Sequence, residues 1–308
     1  MFQQVIRAHE LLSDPHVTSE RIVGIIREIG TYRVEVKEEK EIATTQFLKV
    51  WVPGRQGKSS GGDAPTLGVV GNLGGVGARP EIVGLVSDAD GAITALSVLL
   101  KLITMHQCGD SIAGDVIVST HICPQAPTIP HDPVPFMGNP TREALTKNQN
   151  YVDASMDAIV HVETSRGNRV INWRGFAITP TIKENYILRV SNDLMDIMQN
   201  VTGDVPRIVP LTTQDVTPVD NGLYHMNGLA QETMVSDAPI VGVALTGVVP
   251  VAGCATGASQ TLDMEAAARF IVEVANAYTA GKCSFYDADE FLKITTLYGS
   301  MKHLRKSS

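Results

Sequence analysis

The sequence predicts a three-layer α/β protein built on a largely parallel central sheet. Two observations carry this. Short Val/Ile-rich runs alternate with stretches of helical length along the chain. The clearest stretch, residues 66–121, reads TLGVVGNLGGVGARPEIVGLVSDADGAITALSVLLKLITMHQCGDSIAGDVIVSTH, a strand, a helix and a strand. A unit of that kind joins parallel strands, and open parallel sheets bind ligands off the carboxyl ends of their strands. Asn72, Asp88, Asp90 and His121 fall at such ends or at the helix start, so that edge is the expected site.

The remaining elements follow in chain order. Ile22, Val23, Ile25, Ile26 and Ile29 recur at helical spacing and predict a helix over 19–29, capped by Thr18 or Ser19 and closed by Gly30. Alternation over 32–37 predicts a half-exposed strand, and 47–52 a second, closed by Pro53-Gly54. Residues 55–64 read as a Gly/Ser loop whose spacing departs from the phosphate-loop pattern. A Pro-rich loop spans 122–140 and a short helix begins at Thr141. Residues 157–163 predict an apolar strand, 169–173 and 176–179 a hairpin, 191–200 a helix, and 207–211 a strand. The stretch 212–232 is polar, and 239–245 is a continuous apolar run of the kind buried on both faces. Helices are expected over 263–278, with Asp263 and Glu265 well placed in the first turn, and from about 287 to 304. Together these make one α/β domain: a helix and strands over 1–65, a core over 66–280 and a C-terminal helix over 281–308.

Composition narrows the function. With 308 residues, 44% hydrophobic and 19% charged, the chain can bury a large core. A net charge of −8, with no Lys/Arg stripe, argues against nucleic acid as a partner. The basic end Lys302–Lys306 reads as a solvated tail. Cysteines 108, 123, 254 and 283 show neither C-x-x-C spacing nor a disulfide framework. The N-terminus, MFQQVIRAHELL, is neither a signal nor a transit peptide, and no apolar run is long enough to span a bilayer. The expectation is a cytoplasmic protein with no membrane partner.

Four segments carry a resemblance. LGVVGNLGGVG sits where the di-zinc exopeptidases, the aminopeptidase and dipeptidase superfamily, have a strand ending in G-H-x-D. SDADGAITALSVLLKLI resembles their acidic turn and following helix, GDVIVSTHICPQAP their strand ending in a Glu-Glu pair, and MDAIVHVETSRGNRVINWRG their strand ending in a ligand carboxylate. The run 239–274 falls where a last strand delivers a His. The likeness covers roughly residues 66–280, while the chain as a whole resembles a bacterial family known as domain of unknown function 1177. The superfamily likeness implies a phosphorylase/hydrolase-like, zinc-exopeptidase-like fold. Its ligand positions are altered: Asn72 replaces the first His, the Glu-Glu position falls in His121-Ile122-Cys123-Pro124, and the last His falls near Cys254 or Ala255.

The candidate residues follow from position and chemistry. Asp88 and Asp90 flank a helix start; one caps it, and the second repels the first unless a cation or donor is near. His121 ends an apolar strand, where burial favours a neutral imidazole that can act as ligand or base. His161 and Glu163 share one strand face and either chelate together or set Glu163 to orient His161. The metal set is therefore Asp88, Asp90, His121, His161 and Glu163, with His121, Glu163 and Asp90 as the catalytic candidates. Asn72, Gly74, Gly75, His131, Asp132, Asp215, His225 and Cys254 are candidates for ligand contact. The leading expectation is a metal-dependent amidohydrolase or peptidase-like enzyme, using Zn, Mn or Co on a small peptide or amide. Two alternatives stay open: a catalytically inactive, peptidase-like binder of a peptide or amino-acid-like ligand, and a metal-free racemase or lyase with His121 as base. A homo-oligomer is compatible with either.

Overall fold

Nine strands form one mixed sheet in the computed structural model, which describes residues 1–14, 16–72, 78–79, 85, 89–124, 126–129, 136–137, 144–165, 173–218, 222–223, 228–246 and 259–305. The chain begins with helices α1 (Phe2–Leu12) and α2 (Ser19–Ile29), then strands β1 (Arg33–Lys40), β2 (Thr44–Val52), β3 (Leu67–Gly71) and β4 (Ala78–Arg79). Helix α3 (Asp90–Gln107) leads to β5 (Val116–Ile122), β6 (Ala126–Ile129) and β7 (Phe136–Met137), then α4 (Ala144–Tyr151) and β8 (Ala158–Ser165). Strands β9 (Gly175–Ile178), β10 (Ile182–Lys183) and β11 (Tyr186–Ile187) precede α5 (Asn192–Thr202), β12 (Ile240–Thr246), α6 (Thr261–Thr279) and α7 (Ala288–Tyr298).

The sheet order is β1-β2-β5-β3-β8-β12-β10-β11, with β9 also on β12. The four central strands, β5, β3, β8 and β12, are mutually parallel. All other pairings in this sheet are antiparallel, so the parallel character expected for the whole sheet holds for its centre. Central strands buried on both faces must be apolar on both, which is why they read as Val/Ile runs.

Helices α1, α2, α3 and α6 cover one face. Val5, Ala8 and Leu12 of α1 recur on one stripe and join Ile93 and Ile103 of α3 and Val118 and Val160 of the sheet in a single core. Thr18 caps α2, accepting a hydrogen bond from the Arg21 amide, as its sequence position implies. On the opposite face Val70, Ile117, Ile159 and Ile240 pack with Tyr151 of α4, Val216 and Ala230.

Several local expectations change. The 122–140 stretch holds β6 and β7, which pair antiparallel. Phe176 and its neighbours form β9 against β12; residues 166–172 of the expected hairpin lie outside the described residues. Residues 207–211 make only a bridge, Ile178 to Ile208, held by Ile178 N to Arg207 O and Val209 N to Ile178 O. Helix α7 ends at Tyr298, where Gly299 takes φ 78°. The basic tail is tied down at two points: Lys302 and Arg305 both bind Asp237, at 2.6 and 2.8 Å, while Lys302 stays partly exposed and His303 exposed; Lys306 lies outside the described residues.

Candidate functional site

The sheet brings three polar side chains into one row. Gly71 pairs with Thr120 of β5 on one side and Val162 of β8 on the other. The next residue, Asn72, is therefore level with His121 and Glu163, and its amide donates to Val162 O at 2.9 Å. Neighbouring strands stand about 4.8 Å apart and side chains alternate between faces. His121, Asn72 and Glu163 thus share the face of Val70, Ile117 and Ile159, at the carboxyl ends of three parallel strands. The chain passes from β3 outward to β5 and returns across β3 to β8. The order reverses at the β3/β8 boundary, the place where open α/β sheets bind ligands.

Two buried polar groups hang from this row. In the first, the Tyr151 hydroxyl, at the end of α4, donates to Asn72 Oδ1 at 3.1 Å. His121 Nδ1 also contacts that hydroxyl and supplies the proton of the pair, since the phenol proton is already given to Asn72. Phe47, facing His121 across β2 and β5, packs edge-on against Tyr151 with ring centroids 5.4 Å apart. Burial first, then the charges of Glu232 and Glu163, hold the Tyr151 phenol well above its ordinary value, so it stays protonated. With Asn72 Oδ1 occupied, its amide nitrogen is the end of the chain that remains a donor.

In the second group His161 lies between two carboxylates. Its Nδ1 donates to Glu232 Oε1, and its Nε2 is 3.3 Å from Glu163 Oε2. That second approach lacks hydrogen-bond geometry: His161 Nε2, Glu163 Oε2 and Glu232 Oε2 are buried and form no hydrogen bond among the described residues. Burial alone would lower the His161 pKa. The two carboxylates outweigh it and push it up to about 10. Glu232 is wholly buried, whereas 14% of the Glu163 side chain reaches solvent.

Residues 36–308 match the family described as protein of unknown function DUF1177. The chain belongs to the DUF1177 family. No curated protein matches it.

In this DUF1177 protein, Asn72, His121, His161 and Glu163 come together as their strand positions imply, while the two other described candidates with carboxylates, Asp90 and Asp215, make contacts elsewhere. Asp90, buried at the start of α3, accepts from Ser259 Oγ at 2.6 Å, tying that helix to the approach to α6. Asp215 caps a 3₁₀ turn, accepting from the Thr212 amide and hydroxyl at 2.8 and 2.9 Å. Gly74, Gly75, Asp88, His131, Asp132, His225 and Cys254 lie outside the described residues. Among the described residues no group of three or more His, Cys, Asp or Glu side chains could hold a metal ion. Two residues of the cluster escaped the sequence reading: Tyr151 and Glu232. For Glu232 a signal existed, the glycine at 242 inside an otherwise apolar run over 240–245.

Proposed function

We propose that the protein is a metal-dependent hydrolase of C–N bonds in peptides or small amides, distantly related to the di-zinc exopeptidases. One observation carries the reading: His161 Nε2 and Glu163 Oε2 are 3.3 Å apart, buried and without a hydrogen bond among the described residues. Two donors each about 2.0–2.1 Å from one tetrahedral cation stand about 3.3 Å apart, so the pair fits two ligands of Zn, Mn or Co. Of the further ligands expected from sequence, Asp90 is turned to Ser259 and Asp88 lies outside the described residues.

When bound, such a cation supplies Lewis acidity to a carbonyl and to water. The chain supplies the rest. Glu163, at the lip, is the carboxylate an incoming substrate meets. Asn72, held by Tyr151 through its carbonyl, offers its amide nitrogen to a substrate oxygen. In this reading His121 acts through Tyr151, which its Nδ1 contacts.

A second reading, metal-free proton transfer as in a racemase or lyase, draws on the same trio: His161 keeps its proton to about pH 10 beside the partly exposed Glu163 carboxylate. The test is elemental analysis of protein purified without chelators, with melting curves in Zn²⁺, Mn²⁺ and Co²⁺ and a dipeptide and amide panel. Bound metal with turnover supports the first reading. Metal with no turnover favours the inactive binder. No metal and no thermal gain contradicts the metal reading.

A further inference from the structure

Glu232 belongs to no strand of the row, yet it is the most deeply buried acid of the cluster. It sits on a short 3₁₀ turn, Gln231–Met234. An acid at a turn start is ordinarily explained by stabilisation of free backbone amides. That explanation fails to account for the side chain, which leaves the turn and reaches His161 on β8, 71 residues away in sequence. A buried carboxylate is costly unless it is paired, and this one is spent on a single ring nitrogen. The chain makes room for it. Gly242 pairs with His161 in the β8–β12 register, and a side chain there would meet Leu229 Cβ at 2.7 Å and Thr179 Cγ2 at 2.8 Å. The segment carrying Glu232 lies down on the sheet only because position 242 has no side chain.

An imidazole has two nitrogens, and a partner on one decides what the other offers. We propose that Glu232 is the positioning residue of His161: it holds the ring by Nδ1–H and so keeps Nε2 turned toward Glu163 as the atom available to a cation. This rests on the metal reading above. Carboxylates that hold a ligating imidazole by its other nitrogen raise its basicity and fix its ring, and their loss typically costs 10–100-fold in metal affinity. The alternative is that Glu232 is a buried structural partner, whose removal lowers stability alone.

The experiment compares the wild-type chain with Glu232→Gln and Glu232→Ala. Zinc binding is measured by calorimetry with zinc alone, and the His161 ring is followed by ¹⁵N NMR in histidine-labelled protein, its signals assigned by their loss in His161→Asn. Zinc-bound wild type carries an Nδ1–H that is hydrogen-bonded to Glu232. Glu232→Ala binds zinc about 10–100-fold more weakly, and its Nδ1–H signal shifts upfield as that hydrogen bond is lost. Glu232→Gln keeps the volume and an acceptor oxygen, so it retains the hydrogen bond, binds with intermediate affinity, and serves if the alanine variant fails to fold. Equal zinc affinity in wild type and both variants, or an unshifted Nδ1–H signal in Glu232→Ala, overturns the positioning role while leaving the metal reading intact. No zinc binding by wild type overturns both.

Discussion

Gly242 stands directly beside His161 across β8 and β12, and the space its missing side chain leaves is taken by Leu229, three residues before the Glu232 that holds the imidazole. A Cβ at 242 would lie 2.7 Å from Leu229 Cβ and 2.9 Å from Leu229 O. Backbone cannot yield as a flexible side chain can. Gly242→Ala is expected to cost about 1–3 kcal/mol, as overpacking of a filled interior does, and to push the 228–234 segment away from the sheet. Urea unfolding measures the cost. An unchanged midpoint contradicts the close approach.

The His161 trio predicts a pH dependence for the metal-free protein. The folded-state pKa, about 10, lies above the 6.5 of an ordinary histidine. A raised histidine contributes stability that is fully present below 6.5 and is lost as pH climbs through 10. Stability should therefore decline between those limits by an amount on the order of a few kcal/mol, at about 1.4 kcal/mol for each pH unit. Denaturant unfolding from pH 6 to 10.5 reads this directly. A profile flat over that range, or one that rises, contradicts a protonated His161.

Much of the fold was legible in the sequence, and the reasons are local. Helix α2 carries its own cap and its own glycine stop, and the central strands are Val/Ile runs because both their faces are covered. His121 and Glu163 were legible because a strand end in a parallel sheet is a defined place. What escaped depends on contacts distant in the chain. Tyr151 meets Asn72 across 79 residues and His161 meets Glu232 across 71, and no spacing rule links such pairs. The β10–β11 hairpin escaped because its strands have two residues each; Glu184 and Asn185, at φ 50° and 66°, form its turn.

The Tyr151 hydroxyl joins Asn72 to His121, so Tyr151→Phe leaves two buried polar groups short of a partner. A loss of about 1–3 kcal/mol is expected. Combined with Asn72→Ala in a double-mutant cycle, the two changes should fall short of additivity by at least about 0.5 kcal/mol. Strict additivity contradicts the Tyr151–Asn72 bond.

Gly228 lies over the lip of the site. A methyl group there would stand 3.2 Å from Glu163 Oε2 and closer still, at 2.5 Å, to the Gln231 amide nitrogen, the far end of a movable side chain. Gly228→Ala is therefore expected to crowd Glu163 without removing any donor. Zinc affinity measured by calorimetry should fall several-fold while the melting temperature without metal changes little. Unaltered affinity would place the cation away from Glu163 Oε2.

Whether His161 and Glu163 share a divalent cation, as proposed, is decided by anomalous diffraction from a zinc-soaked crystal. A shared cation gives an anomalous peak about 2.0–2.2 Å from both His161 Nε2 and Glu163 Oε2, with Glu232 still on Nδ1. No peak at this pair, or zinc bound only elsewhere, contradicts it.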